Sequence, residues 1–215
     1  MDAFLTPDEV AARQKVRDYF REGKALAEGA PSGPRGSNPL GSFLKELGFP
    51  GPSAAGDKGR AASLLVKALV IEESSSASPR LGRELVPSPG GAIRSVSHAE
   101  EEAAEIAWKM GAAAAVLRAC LKAAGEQGFF ASTLMDHQKV QMTLGDILSG
   151  LEAARLQSYR AFRLIDGGDE SRGAEELRRA AGLAARAHGE AMGMASALLG
   201  TRWLSENMPD NERSR

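Results

Sequence analysis

Residues 136–166 read DHQKVQMTLGDILSGLEAARLQSYRAFRLID, and their periodicity decides the fold class. Val140, Leu144, Ile147, Leu151, Ala154 and Phe162 recur at helical spacing on one side, which predicts a long amphipathic helix from His137. Asp166-Gly167-Gly168-Asp169 follows, with the glycines and short polar side chains that end a helix. Downstream, a last helix is expected from Glu170 to about Leu204, with Leu177, Ala184, Ala191 and Leu198 at sevenfold spacing. That narrow alanine and glycine seam suits close contact with another helix. It is either an internal seam or a subunit interface, and the internal reading is preferred. Upstream, Ser97-His98-Ala99-Glu100 reads as a capping box. It opens a helix to about Ala124 that carries Ile106, Met110, Ala113, Leu117 and Leu121. Gly125 to Asp136 is a connection. Three long helices with short connections predict antiparallel neighbours.

The N-terminal part is helical too. Thr6-Pro7-Asp8-Glu9 combines a cap, a proline suited to the first helical position and the glutamate of a capping box. Val10, Val16 and Phe20 supply a buried stripe that ends near Gly23. Ala30 to Pro39 and Pro50 to Gly59 read as loops around a short helix, Leu40 to Leu47. A further helix runs from Arg60 to about Ser75, with Leu64, Leu65, Ala68, Leu69 and Ile71 inward. Pro79 to Ser97, rich in proline and glycine, is the clearest linker. The expected organisation is an N-terminal helical part (1–78), a Pro/Gly linker (79–96), a C-terminal helical bundle (97–206) and a polar tail (207–215). The fold class is all-α.

Composition agrees. Of the 215 residues, 43% are hydrophobic but only 5% aromatic, and alanine, the best helix former, dominates. A net charge of -1 offers no basic field for nucleic acid. No apolar run approaches the ~20 residues that span a bilayer. The start at Met1-Asp2 lacks a basic, apolar leader, and the lone Cys120 suits a reducing compartment, so a cytoplasmic location is expected.

Few residues suggest chemistry by themselves. His98, His137 and His188 lie outside any metal-ligand spacing, so no metal site is expected. Cys120, beside Leu117 and Leu121, reads as a packed thiol. Glu100-Glu101-Glu102 suits the positive end of its own helix. Arg172, Arg178, Arg179 and Arg186 would form either a basic face for a ligand's phosphate or, as preferred here, a solvated face paired with Glu175 and Glu176. Gly90-Gly91 follows no strand and precedes no lysine, so it is not a phosphate loop.

The order of these blocks resembles the acyl-CoA dehydrogenase family. Leu5-Thr6-Pro7-Asp8-Glu9 and Val16-Arg17-Asp18-Tyr19-Phe20 resemble that family's first helix. Leu44-Lys45-Glu46-Leu47-Gly48-Phe49-Pro50-Gly51 is similar to its LxELGxxG segment, and Ala68-Leu69-Val70-Ile71-Glu72-Glu73 to its LVxEE helix. Asp136-His137-Gln138-Lys139-Val140-Gln141 through Tyr159-Arg160-Ala161 resembles its long C-terminal-domain helix. The resemblance covers roughly residues 1–86 and 103–204, and is strongest over 136–166.

The resemblance implies a bundle of the acyl-CoA dehydrogenase type, and it marks departures. Family members carry a middle β-barrel, for which the linker here leaves no room. The arginine that meets the flavin dinucleotide is replaced by Gln127, and glutamine cannot make a guanidinium's bidentate phosphate contacts. The family's QxxGGxG segment appears as Ala197-Leu198-Leu199-Gly200-Thr201-Arg202-Trp203, where Gly200 alone remains. The catalytic glutamate belongs to a segment expected beyond this sequence, so no catalytic residue is carried over. Phe130 and Gln138 keep the family type and are the candidate cofactor-binding residues, acting only with a partner. FAD is thus expected, if anywhere, at an interface with a full-length homologue. The leading expectation is a non-catalytic subunit that assembles with that homologue in an oxidoreductase complex and supports its oxidation of an acyl-CoA. The alternatives are a small subunit contributing residues to a shared flavin and acyl-CoA site, and a flavin-free homo-oligomeric structural or regulatory module.

Overall fold

The structure, a computed structural model, describes residues 5–22, 63–87, 97–129 and 132–209. Helix α1 spans Pro7–Arg21, α2 Leu64–Ala77, α3 Pro79–Glu84, α4 His98–Glu126, α5 Gln138–Asp166, α6 Glu170–Leu198 and α7 Gly200–Asn207. Between α4 and α5 lie a two-stranded antiparallel hairpin, β1 (Gly128–Phe129) with β2 (Ser132–Thr133), and a 3-10 turn, Leu134–Asp136. The fold is all-α apart from this hairpin. The expected helix Leu40 to Leu47, the flanking loops and the start of the helix at Arg60 lie outside the described residues.

Three helices of 29 residues form the bundle, each about 43 Å long at 1.5 Å per residue. Helix α5 buries Leu144, Ile147, Leu151, Ala154 and Phe162 as its periodicity predicts, while Val140 is only half-buried. Along α6 the buried apolar side chains are Leu177, Ala180, Ala184, Ala187, Ala191 and Ala195, packed on α5 and α4, with Leu198 of the expected seam only half-buried. The alanine seam is therefore internal to this chain. Small side chains there let the helix axes approach closely. Leu121, expected on the buried face of α4, is 40% exposed, because the inner face closes on Leu117, Cys120 and Ala124.

Helix α2 is central. Eleven of its 14 residues are buried, and it contacts α1, α3, α4 and α5. An apolar helix without a polar side needs neighbours all round, and those neighbours join the N-terminal part to the bundle. Helix α1 starts as the sequence predicts. Thr6 Oγ1 accepts from the Glu9 amide at 3.4 Å, and the Thr6 amide donates to Glu9 Oε2 at 2.7 Å. It buries Val16 and Tyr19 but also Arg13.

Four further expectations change. The start of the supposed linker is helical: Pro79 occupies the first helical turn of α3, Ser78 caps it, and Leu85 and Val86 enter the core. Trp108 Nε1 donates to the Pro79 carbonyl at 2.9 Å, which fixes this segment on α4. The Gly125 to Asp136 connection is partly a hairpin. The last helix does not run unbroken to Leu204, because Gly200 adopts φ 78° and separates α6 from α7. Finally, Met208, assigned to the polar tail, is fully buried.

Asp166 makes an unanticipated tie. Its carboxylate accepts from the amides of Leu64 (2.8 Å) and Leu65 (3.1 Å), capping α2 from about a hundred residues away in sequence. A carboxylate is unfavourable at the C-terminus of its own helix and favourable at the N-terminus of another; here the cap compensates. Asp166→Ala is expected to lower stability by about 1–2 kcal/mol, read as a shift in the urea midpoint at unchanged slope. Asp166→Asn keeps one acceptor oxygen for one of the two amides and should fall between Asp166→Ala and wild type. Equal midpoints for Asp166→Ala and wild type would exclude this cap.

Candidate functional site

Gln127 and Gly200, two positions that the resemblance relates to the family's flavin contacts, lie at two breaks in the bundle. Helix α4 ends at Gln127, whose carbonyl accepts from the Leu134 amide at 3.1 Å and so closes the hairpin. Its side-chain Nε2 donates to the Leu198 carbonyl at 3.2 Å, at the C-terminus of α6. The terminal carbonyls of a helix lack intrahelical partners, and Gln127 satisfies one. Gly200, the remaining glycine of its segment, supplies the positive φ between α6 and α7. Both residues thus have work within this chain's own fold.

Gln138 is the first residue of α5 and is exposed. Phe130, the other candidate, lies outside the described residues. Just before Gln138, Asp136 accepts from the Thr133 amide (2.7 Å) and hydroxyl (2.9 Å). Those bonds, the amide's foremost, hold the Asp136 carboxyl below its ordinary range.

Arg172 pairs with Asp169, Arg179 with Glu175 and Glu176, and Arg186 with Glu190. Cys120 is 1% exposed, and burial pushes its thiol up to about 11, away from the reactive thiolate. His188 packs at 5.3 Å from the Trp108 ring, whereas His98 is exposed at the start of α4. No group of three or more metal-ligating side chains occurs among the described residues. A half-open groove of about 530 Å³ between α5 and α6 is lined by Thr143, Asp146, Gly150, Leu183, Arg186 and Glu190. Its arginine and Glu190 are already paired with each other.

The most concentrated charge lies elsewhere, along α2. Glu72 is 1% exposed; its carboxylate accepts from Arg155 Nε at 2.5 Å and from the Tyr159 hydroxyl at 2.7 Å. Glu73 turns to α1, accepting from Arg13 Nε and from Arg17 Nε (3.0 Å) and Nη2 (2.9 Å). Arg155 also reaches Glu152 at 2.6 Å, and Arg118 donates to the Ser76 hydroxyl at 2.8 Å and to the Ser76 carbonyl. Burial raises the Tyr159 hydroxyl far above its usual value, and the adjacent Glu72 raises it further. This cluster was not read from the sequence. The available signal was two successive glutamates directly after the apolar run Ala68 to Ile71, which cannot both face solvent when that helix is surrounded.

No helix among the described residues is long and apolar enough to cross a membrane. No curated protein and no solved structure matches the chain. Residues 103–210, covering α4 from its second turn through α7, match the family model described as acyl-CoA dehydrogenase, C-terminal domain. This is the all-α bundle just described, and the chain belongs to the acyl-CoA dehydrogenase family.

Proposed function

We propose that the chain is a non-catalytic acyl-CoA dehydrogenase-like subunit that assembles with a full-length homologue and supports its oxidation of an acyl-CoA. The observation that carries this reading is Gln127. Where relatives place a flavin-binding arginine, this chain has a neutral side chain engaged on the Leu198 carbonyl. The bundle through which the family assembles is retained, while helices α2 and α4 are joined through residues 78–97, too short a stretch for a barrel. A shared flavin site is the second reading, and exposed Gln138 favours it.

Co-expression with a candidate full-length homologue tests both readings. The expected result is a co-purifying complex of defined mass whose flavin absorbance and activity survive Gln138→Ala. Loss of activity in that variant with assembly intact would move the assignment to the shared site. A colourless, self-associated protein that captures no homologue would overturn both, leaving a flavin-free homo-oligomeric module.

A further inference from the structure

Three arginines from three helices meet one turn of α2. Arg17 of α1 bonds Glu73, Arg118 of α4 bonds Ser76, and Arg155 of α5 bonds Glu72. Residues three and four apart on a helix are neighbours on its surface, so these guanidinium groups border a common patch. Among the described residues, Arg13 and Arg17 pair with Glu73, and Arg155 pairs with Glu72 and Glu152. Both acceptors of Arg118 are neutral oxygens of Ser76. A guanidinium carries five N–H donors, and Arg17, Arg118 and Arg155 each spend two in these bonds. Arg118 is exposed, and the Arg17 side chain is 40% exposed, so this edge of the cluster meets solvent.

We propose that Arg17 and Arg118, backed by Arg155, form a binding site for a phosphate-class oxyanion beside Ser76, where the guanidinium charges outweigh the unfavourable C-terminal end of α2. The planar fork of arginine matches a tetrahedral oxyanion through paired N–H bonds. The bound anion would supply the negative charge that Ser76 cannot. Electrostatics agree with the geometry: burial lowers the Arg118 basicity, and Arg155 and Arg17 lower it further against the opposing pull of Glu73. A bound anion relieves that repulsion.

The test is calorimetric titration of the full chain with sodium phosphate, and separately with glycerol 3-phosphate, against sodium chloride at matched ionic strength. One phosphate is expected to bind per chain. Arg118→Gln should weaken it at least tenfold and Arg118→Lys by less, while Arg172→Gln, on a remote helix face, should leave it unchanged. Thermal unfolding of each variant without phosphate confirms that it is folded. Equal affinity for glycerol 3-phosphate would place the site on a phosphomonoester, and binding of inorganic phosphate alone would place it on the free ion. No saturable phosphate binding, an equal response to chloride, or unchanged affinity in Arg118→Gln would overturn the proposal.

Discussion

Gly111→Ala is expected to destabilise the protein by about 3 kcal/mol, near the upper end for overpacking a filled core. A β-carbon at Gly111 would lie 2.2 Å from the Glu72 carbonyl oxygen and 2.5 Å from Ser75 Cβ. The first is backbone of the central helix and cannot rotate away, so α2 and α4 must separate. Helix propensity acts the other way, since alanine is favoured over glycine by about 1 kcal/mol in a helix interior, and the expected figure is net of that gain. For a chain of this size the change corresponds to a fall of roughly 6–12 °C in Tm. Gly150→Ala is the internal control. A β-carbon there meets Ala187 Cβ at 3.9 Å, an ordinary contact, so this variant should gain up to about 1 kcal/mol. Paired thermal and urea unfolding checks both. Equal Tm values for Gly111→Ala and wild type would mean that α2 and α4 are not in this contact.

Gly111 also shows what the sequence could and could not reveal. The long helices were legible because each carries a repeating apolar face, and Thr6 and Ser97 mark their starts through caps that need only local residues. Glycines were ambiguous. Gly82 reads as part of a linker, yet it sits in α3 because its missing side chain admits Ser75, whose Oγ would lie 2.1 Å from an added β-carbon. Pro79 misled in the same way, since proline breaks a helix interior but suits its first turn. Gly200 was noted as a family remnant, whereas its role as a positive-φ break depends on backbone geometry that periodicity does not encode. Gln127 could be recognised as a departure from arginine. Its acceptor, the Leu198 carbonyl, is main chain and leaves no mark in residue type. The charged cluster was hidden for another reason: the partners of Glu72 and Glu73 lie 56 to 87 residues away.

Glu72→Ala is expected to cost about 3–5 kcal/mol, because it removes one partner of a buried charge and leaves the other in place. Arg155 has a side chain only 13% exposed and would retain Glu152 alone, while the Tyr159 hydroxyl would lose its acceptor. Glu72→Gln should cost less, since the amide oxygen still accepts from Arg155 while the amide NH2 can donate to the Tyr159 oxygen. Replacing the trio together (Glu72→Met, Arg155→Met, Tyr159→Phe) is expected to lie much closer to wild type than Glu72→Ala, because desolvation offsets much of a buried pair's attraction. A double-mutant cycle of Glu72→Ala with Tyr159→Phe isolates their coupling, which for groups in direct contact should exceed about 0.5 kcal/mol; additive effects would show that the bond contributes nothing. Neighbouring Glu73 adds a pH signature. Burial pulls its pKa up, but the bonds from Arg17 and Arg13 outweigh that and hold it below the ordinary value. The unfolded chain then binds more protons than the native one in the acid range. This contribution is therefore complete above the unfolded pKa of about 4.3 and is lost as pH falls through the lower folded value. Glu73→Gln should flatten that acid limb, whereas Glu175→Gln, whose carboxylate is 56% exposed, should leave it unchanged. Should both variants lose stability in parallel with wild type as pH falls, Glu73 would not be the group that anchors α1 to α2.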